Sequence, residues 1–392
     1  MVHGQIRSPG AISSQKGYVA IMSPVVLSLD SHKSLSSECA TGHNRWHWEI
    51  APAIKCRSGD EVVLATRDAL DGQLNRSSTS KDLSSIDRGR IHPLSGPVWV
   101  EDAEPGDLLQ VDVLEVTPDD YGFTSQRPGL GLLHKDLTEP YLVHWELSDG
   151  LASSAQLPGV KIVGDPFLGI MGVAPSASMI ADVLEREGSS RFSPVEPSSA
   201  IPATARVKVE GLRTGPPREN GGNFDVKQLG AGAKVFLPVW QQGALFSAGD
   251  AHFAQGDGEV CGTAIEMRST ARLRLTLHKN IVNLEKSPLP FFEFTPRADS
   301  SPSPVFVTLG YPSSHDGDRL MEAAASAIRQ LASRLVDAYD FSFSAAYALC
   351  SVAVDLRVVQ VVNEPNISVT ATISLGIFDD LGERLSFRGD SQ

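Results

Sequence analysis

The segment Phe246–Glu266, FSAGDAHFAQGDGEVCGTAIE, is the most concentrated stretch of polar chemistry in the chain. Asp250, His252, Gln255, Asp257 and Glu259 fall within ten positions of it. Gly249, Gly256, Gly258 and Gly262 let the backbone bend sharply and bring these side chains together. Asp250 and His252 are two apart and so share a face of an extended segment. Glu259 can fold back to the same point across the Gly256-Asp257-Gly258 turn. Carboxylate and imidazole groups suit zinc or another divalent ion. Such an ion polarises a carbonyl and lowers the pKa of its water toward about 7. The same residues also fit a glycine-rich hairpin whose acids cap turns, which is the better description of Asp257. The spacing is neither that of an EF-hand loop nor the paired His-x-His of a cupin.

Two further segments carry polar side chains. Asn223, Asp225 and Lys227 alternate in GGNFDVKQL, so a strand there would project an amide, a carboxylate and an ammonium from one face. A solvated strand face with an internal Asp–Lys pair is the plainer alternative. HNRWHWEI places His43, His47, Trp46 and Trp48 close together, as a binding-site rim or as an aromatic anchor. Asp68, Gln73 and His92 stand alone at strand ends, where turn residues are commoner than ligands. Nucleophile-elbow, Walker A, HExxH and GxGxxG patterns are absent. Cys261, flanked by Val260 and Ile265, reads as a buried structural thiol.

The elements that must hold these groups are mostly strands. Leu109, Val111 and Val113 alternate with polar residues, as do Val207 and Val209, then Leu273, Leu275 and Leu277, then Ile367 through Leu375. Period-two alternation predicts antiparallel sheets with one face on a core. Turn signals at Ser58-Gly59-Asp60, Glu104-Pro105-Gly106-Asp107 and Pro216-Pro217 separate the strands. The run from Tyr18 to Leu29 is interrupted by Ser23-Pro24 and reads as an early strand. One long helix is predicted from about Asp318 to Tyr339, and a shorter one from about Ser344 to Ala353 with a serine cap at 342 or 344. The expected fold is mainly β, an antiparallel sandwich or barrel body, with a smaller C-terminal α+β part whose helix pair packs on a sheet. The expected division is 1–125, 126–300 carrying the site loop, and 301–392. The Ser/Pro-rich stretches 189–202 and 298–304 read as loops or spacers.

Composition narrows the function. With 34 basic and 47 acidic residues the formal charge is −13, which disfavours nucleic acid and anionic membranes as partners. No apolar run reaches the roughly 18 residues a membrane span needs. Four scattered cysteines without a CxxC direct any metal toward oxygen and imidazole ligands. A cytoplasmic location is the expectation.

HNRW at 43–46, GDEV at 59–62 with Asp68 beyond it, SGPVWVEDAEPGDLLQVDVLEV at 95–116, GGNFDVKQL at 221–229, SAGDAHFAQGDGEVCGTAIE at 247–266 and AYALCSVAVDLRVVQVV at 346–362 resemble the acetamidase/formamidase family. Order and spacing agree from about residue 26 to 378. The resemblance implies hydrolysis of a small linear amide such as formamide or acetamide, a metal-activated water, and a homodimer or higher homo-oligomer. It points to the polar positions His43, Trp46, Asp68, Gln73, Asn223, Asp225, Asp250, His252, Gln255 and Glu259. On that basis Asp250, His252, Glu259 and Asp68 are expected to ligate the ion, zinc first and calcium as the alternative. Glu259 or Asp225 is expected to act as base, Asn223 or Lys227 to stabilise the oxyanion, and His43, Trp46, Gln73 and Gln255 to contact substrate. Trp48-Glu49 and Asp71-Gly72 depart from the family pattern, and both are expected near the pocket. They motivate a second expectation, a larger N-acyl, N-formyl or carbamate substrate. A non-catalytic relative that binds small amides is the third.

Overall fold

The computed structural model describes residues 23–187, 196–286, 288–295, 303–310, 312, 318–360 and 368–385. The body is one large, mostly antiparallel sheet of fifteen strands. Its spine is the long pair Leu108–Gln126 and Glu266–His278. The register sets Leu109 against Leu277, Val111 against Leu275 and Val113 against Leu273. This is the alternation seen in the sequence, and Leu109, Val111, Val113, Leu273 and Leu275 are all buried in the main core. Strands from 25–126 and from 141–293 share this sheet. The early strand is Val25–Leu27, parallel to Val62–Leu64; positions 18–22 of that expectation lie outside the described residues.

The C-terminal part is a three-stranded sheet of Val305–Gly310, Ser368–Ser374 and Val354–Gln360. Helices Arg319–Tyr339 and Phe343–Ala353 accompany it, capped by the side chains of Asp318 and Ser342. The long helix packs closely on the sheet: Thr308 Oγ1 donates to Ala327 O at 2.8 Å, and a Cβ at Gly310 would collide with Ala323 O. The mainly β fold and the helix pair on a sheet stand as expected.

One predicted strand is a helix. Residues Ala205–Glu210 are α-helical, with Val207 N donating to the Thr204 hydroxyl at the N-terminus. Arg206 and Glu210 pair at 2.7 Å one turn apart. Val207 is buried whereas Val209 is 70% exposed, so the two valines do not share a face. A six-residue segment is too short for its valines to distinguish period two from period 3.6; the cap and the ion pair decide.

Candidate active site

Strand Phe246–His252 is buried along its whole length. It lies between Leu94–Val100, Phe167–Gly172 and the start of Glu266–His278. It delivers Asp250 and His252, and the antiparallel register places Glu266 directly opposite His252. The turn Gln255–Gly262 returns Glu259 toward the same point. Strand Gly221–Asn223 ends beside them, and Asp225 follows it. Asp225, Asp250 and Glu259 all adopt left-handed backbone, with φ of 48°, 57° and 41°. Such conformations cost about 1–3 kcal/mol each and concentrate at functional sites. Gly169 makes room for two of these acids: a Cβ there would sit 2.5 Å from Asp225 Oδ1 and 2.9 Å from Asp250 Oδ2.

His252 Nε2 lies 3.2 Å from Glu266 Oε2 and 3.5 Å from Asp250 Oδ1, and its Nδ1 lies 3.9 Å from Asp225 Oδ1. Ligand atoms of Asp225, Asp250 and His252 fall within 4.8 Å of one another, as do those of His252, Glu259 and Glu266. Asp225 Oδ1, Asp250 Oδ1, Glu266 Oε2 and both His252 nitrogens are buried without a hydrogen-bond partner. Buried polar atoms are rarely left so. A cluster of unpaired carboxylate oxygens around one imidazole fits a divalent cation.

The cluster is electrostatically divided. Burial pushes the Asp225 carboxyl up to about 7, against the pull of His252. Burial also acts on Asp250, but His92 and His252 beside it bring that carboxyl down to about 2. Burial, then the Asp225 charge, holds Glu259 well above the usual carboxylate range. Burial would lower the His252 imidazole, yet Glu266 and Asp250 raise it well above its ordinary value.

A cavity of about 570 Å³ meets this cluster at Glu259. Its walls include Asn223, Glu259, His92, Arg88, Arg127 and Arg213. Asn223 Oδ1 is buried without a partner. Gln255 is tied to the Asp225 carbonyl through Nε2 at 2.7 Å.

Other expected residues lie apart from this cavity. Asp68 accepts from Leu70 N and Gly72 N and sits 3.7 Å from Arg268 Nε, so it caps its own turn. Gln73 brackets the same turn through Leu70 O and Asp87. Lys227 is drawn to Asp355 and lies 3.5 Å from Asp257, and the strand that was to align it with Asn223 stops at Asn223. His43 shares a 2.7 Å hydrogen bond with Ser247 Oγ and meets Trp46 edge-on. Trp46 packs in a second apolar cluster with Leu94, Ile170 and Leu212. Trp48 and Asp71 do not line the cavity either. Trp48 stacks on His47 beneath Arg206, and Asp71 is buried in an ion pair with Arg90.

Two cavity or cluster residues carry no sequence signal of their own. His92 was a lone polar residue, yet it faces Asp250 and His252. Glu266 closes the segment already singled out. It lies as far after Glu259 as His252 lies before it, which is the symmetry of a hairpin centred on that turn.

Comparison with known proteins gives the family. The chain is 35% identical over 289 residues to the acetamidase of Mycolicibacterium smegmatis, covering 66% of this chain and 71% of that protein. It is 33% identical over 295 residues to the formamidase of Methylophilus methylotrophus, covering 69% and 72%. The solved gamma lactamase from Delftia acidovorans superposes with a TM-score of 0.82 at 30% identity, over 90% of this chain and 93% of that one. Residues 28–380 match the acetamidase/formamidase family, and the chain belongs to it.

Proposed function

We propose that the protein is an amidohydrolase that cleaves the C–N bond of an amide to a carboxylate and ammonia or an amine, with a divalent ion at the carboxylate–histidine cluster. The observation that carries this reading is the set of unpaired buried atoms of Asp225, Asp250, His252 and Glu266 beside a cavity, in a chain of this family.

Asp250, His252 and Glu266 would hold the ion, and Asp225 beside them is left unligated. Zinc suits the imidazole; calcium suits the excess of oxygens. A divalent ion there supplies Lewis-acid polarisation of the amide carbonyl and a more acidic water. The chain's own residues do the rest. Asn223 stands at the cavity wall, where its amide donates to the carbonyl oxygen as charge develops. Glu259 shares that wall. Burial and the Asp225 charge raise its carboxyl well above the usual carboxylate range, which favours its acid form as the donor to the departing nitrogen. Asp225, with its carboxyl at about 7, is poised to take a proton from the attacking water. Lys227, held by Asp355, has no part in this scheme.

The cavity volume of about 570 Å³ favours the second expectation, an amide larger than acetamide. The test is a metal analysis run beside an ammonia- and amine-release assay on small and bulky amides. About one divalent ion or more per chain is expected, and chelation should lower turnover at least 100-fold. Full turnover in protein stripped of metal overturns the reading.

A further inference from the structure

The cavity wall opposite the carboxylates is cationic in a chain whose formal charge is −13. Arg88, Arg127 and Arg213 all reach it. Arg213 is accounted for: it pairs with Glu196 at 3.2 Å and donates to the Arg88 and Ile91 carbonyls. Arg127 and Arg88 have no such partner among the described residues. The Arg127 Nε is buried and unbonded. Burial and the neighbouring Arg88 charge together lower its basicity, and Glu266 pulls on it only through space. The partly buried Arg127 guanidinium, beside the charge of Arg88 and with no ion-pair partner of its own among the described residues, is a place where a ligand anion would be held. The planar guanidinium fork matches a carboxylate in two parallel hydrogen bonds. Neutral amides such as acetamide would leave both forks empty and most of the cavity unfilled.

Resting on the amidohydrolase reading above, we infer that the substrate is an acidic amide, with a carboxylate bound by Arg127 and Arg88 and its amide presented to Asn223 and Glu259. The reaction balances without a further reactant. One water adds to the amide carbon. The C–N bond breaks and its electron pair leaves with nitrogen, which takes the proton lost by the water and departs as ammonia; the new carboxylic acid then ionises, and its proton converts ammonia to ammonium. The products of a primary acidic amide are a dicarboxylate and ammonium.

Ammonia release from malonamate, succinamate and glutaramate, compared with propionamide, butyramide and valeramide, tests this directly. At least one acidic amide should exceed its neutral isostere in kcat/KM by about 10- to 100-fold, the worth of a charge-assisted pair. That ratio should collapse in Arg127→Met, recover in part in Arg127→Lys, and fall also in Arg88→Gln, at an exposed side chain with no hydrogen bond or ion pair among the described residues. Neutral amides hydrolysed as well as acidic ones, or an unchanged ratio in both Arg88→Gln and a folded Arg127→Met, overturn the inference and leave the hydrolase reading in place. Succinate binding by calorimetry separates the two failures. Arg127-dependent binding of succinate without hydrolysis of any amide would keep the anion subsite and remove the hydrolase reading. Absence of both binding and hydrolysis overturns the inference.

Discussion

At the scale of single residues, the site is expensive to fold. Three of its acids sit in left-handed backbone, and several of its buried atoms lack protein partners. Support comes from neighbours that are themselves buried. His43, 1% exposed, holds Ser247 in the strand that carries Asp250 and His252. Burial lowers its imidazole to about 4. The sign follows: the folded protein keeps His43 neutral, whereas the unfolded chain takes up a proton near its ordinary value. The stability is therefore complete above about pH 6.5 and is lost as pH falls toward 4. His43→Gln should cost stability at pH 7 yet flatten this slope, by on the order of 2 kcal/mol between pH 7 and pH 5. Urea melts of both proteins at the two pH values check it; parallel slopes would refute it. Asp250, His252 and Glu259 were legible as a cluster because they are near neighbours in one polar segment. His92 was not, because nothing within a few residues of it signals that Asp250 will be beside it.

At the scale of elements, register does what spacing alone does not. His252 faces Glu266 because two strands pair antiparallel across the Gln255–Gly262 turn. Gly169, on strand Phe167–Gly172, leaves the space into which Asp225 and Asp250 project. Its carbonyl also accepts from Phe224 N and Asp225 N, fixing where the chain bends after Asn223. Gly169→Ala puts a methyl within 2.9 Å of both carboxylates, without asking the backbone for a conformation alanine dislikes. The expected outcome is loss of bound metal and at least a 100-fold fall in kcat/KM, with a nearly unchanged circular dichroism spectrum. Retained metal and activity would show that the two acids can part without harm. The alternating strands Leu109–Val113 and Leu273–Leu277 were legible because long runs with one buried face constrain the period. The segment containing Val207 and Val209 was not, because it is short and its valines serve different environments.

At the scale of the whole molecule, the C-terminal α+β part acts as the back wall of the site loop. Gly256 N donates to Ser351 O at 2.9 Å, and Leu356 N donates to Asp257 O at 3.1 Å. Cys261 N donates to Ser351 Oγ at 3.1 Å, and that hydroxyl donates in turn to Thr263 O at 2.7 Å. The Tyr347 hydroxyl donates to Val260 O. A Cβ at Gly256 would collide with the Val354 backbone, so the loop lies directly on this sheet. The strongest link is Asp355, which accepts from Asp257 N at 3.0 Å and from Lys227. Asp257 is two residues from Glu259, and Lys227 is two from Asp225, so one carboxylate anchors both flanks of the cluster. The pairing of residues 128 apart could not be seen in the sequence. Lys227, one of the two donors expected at the oxyanion, meets Asp355 and Asp257. Asp355→Ala leaves Asp257 N unpaired and Lys227 with only the longer contact to Asp257, at a partly buried junction, which costs about 1–3 kcal/mol. It should also lower kcat about 10- to 100-fold, because a shift of about 1 Å in Glu259 is enough for that. The exposed pair of Arg329 and Asp136, at 2.7 Å, provides the control. Arg329→Ala should change stability by less than about 1 kcal/mol and leave kcat alone. Thermal melts and steady-state kinetics of the two variants distinguish the cases. If both lose stability and neither loses kcat, the C-terminal part holds the fold together without positioning the site.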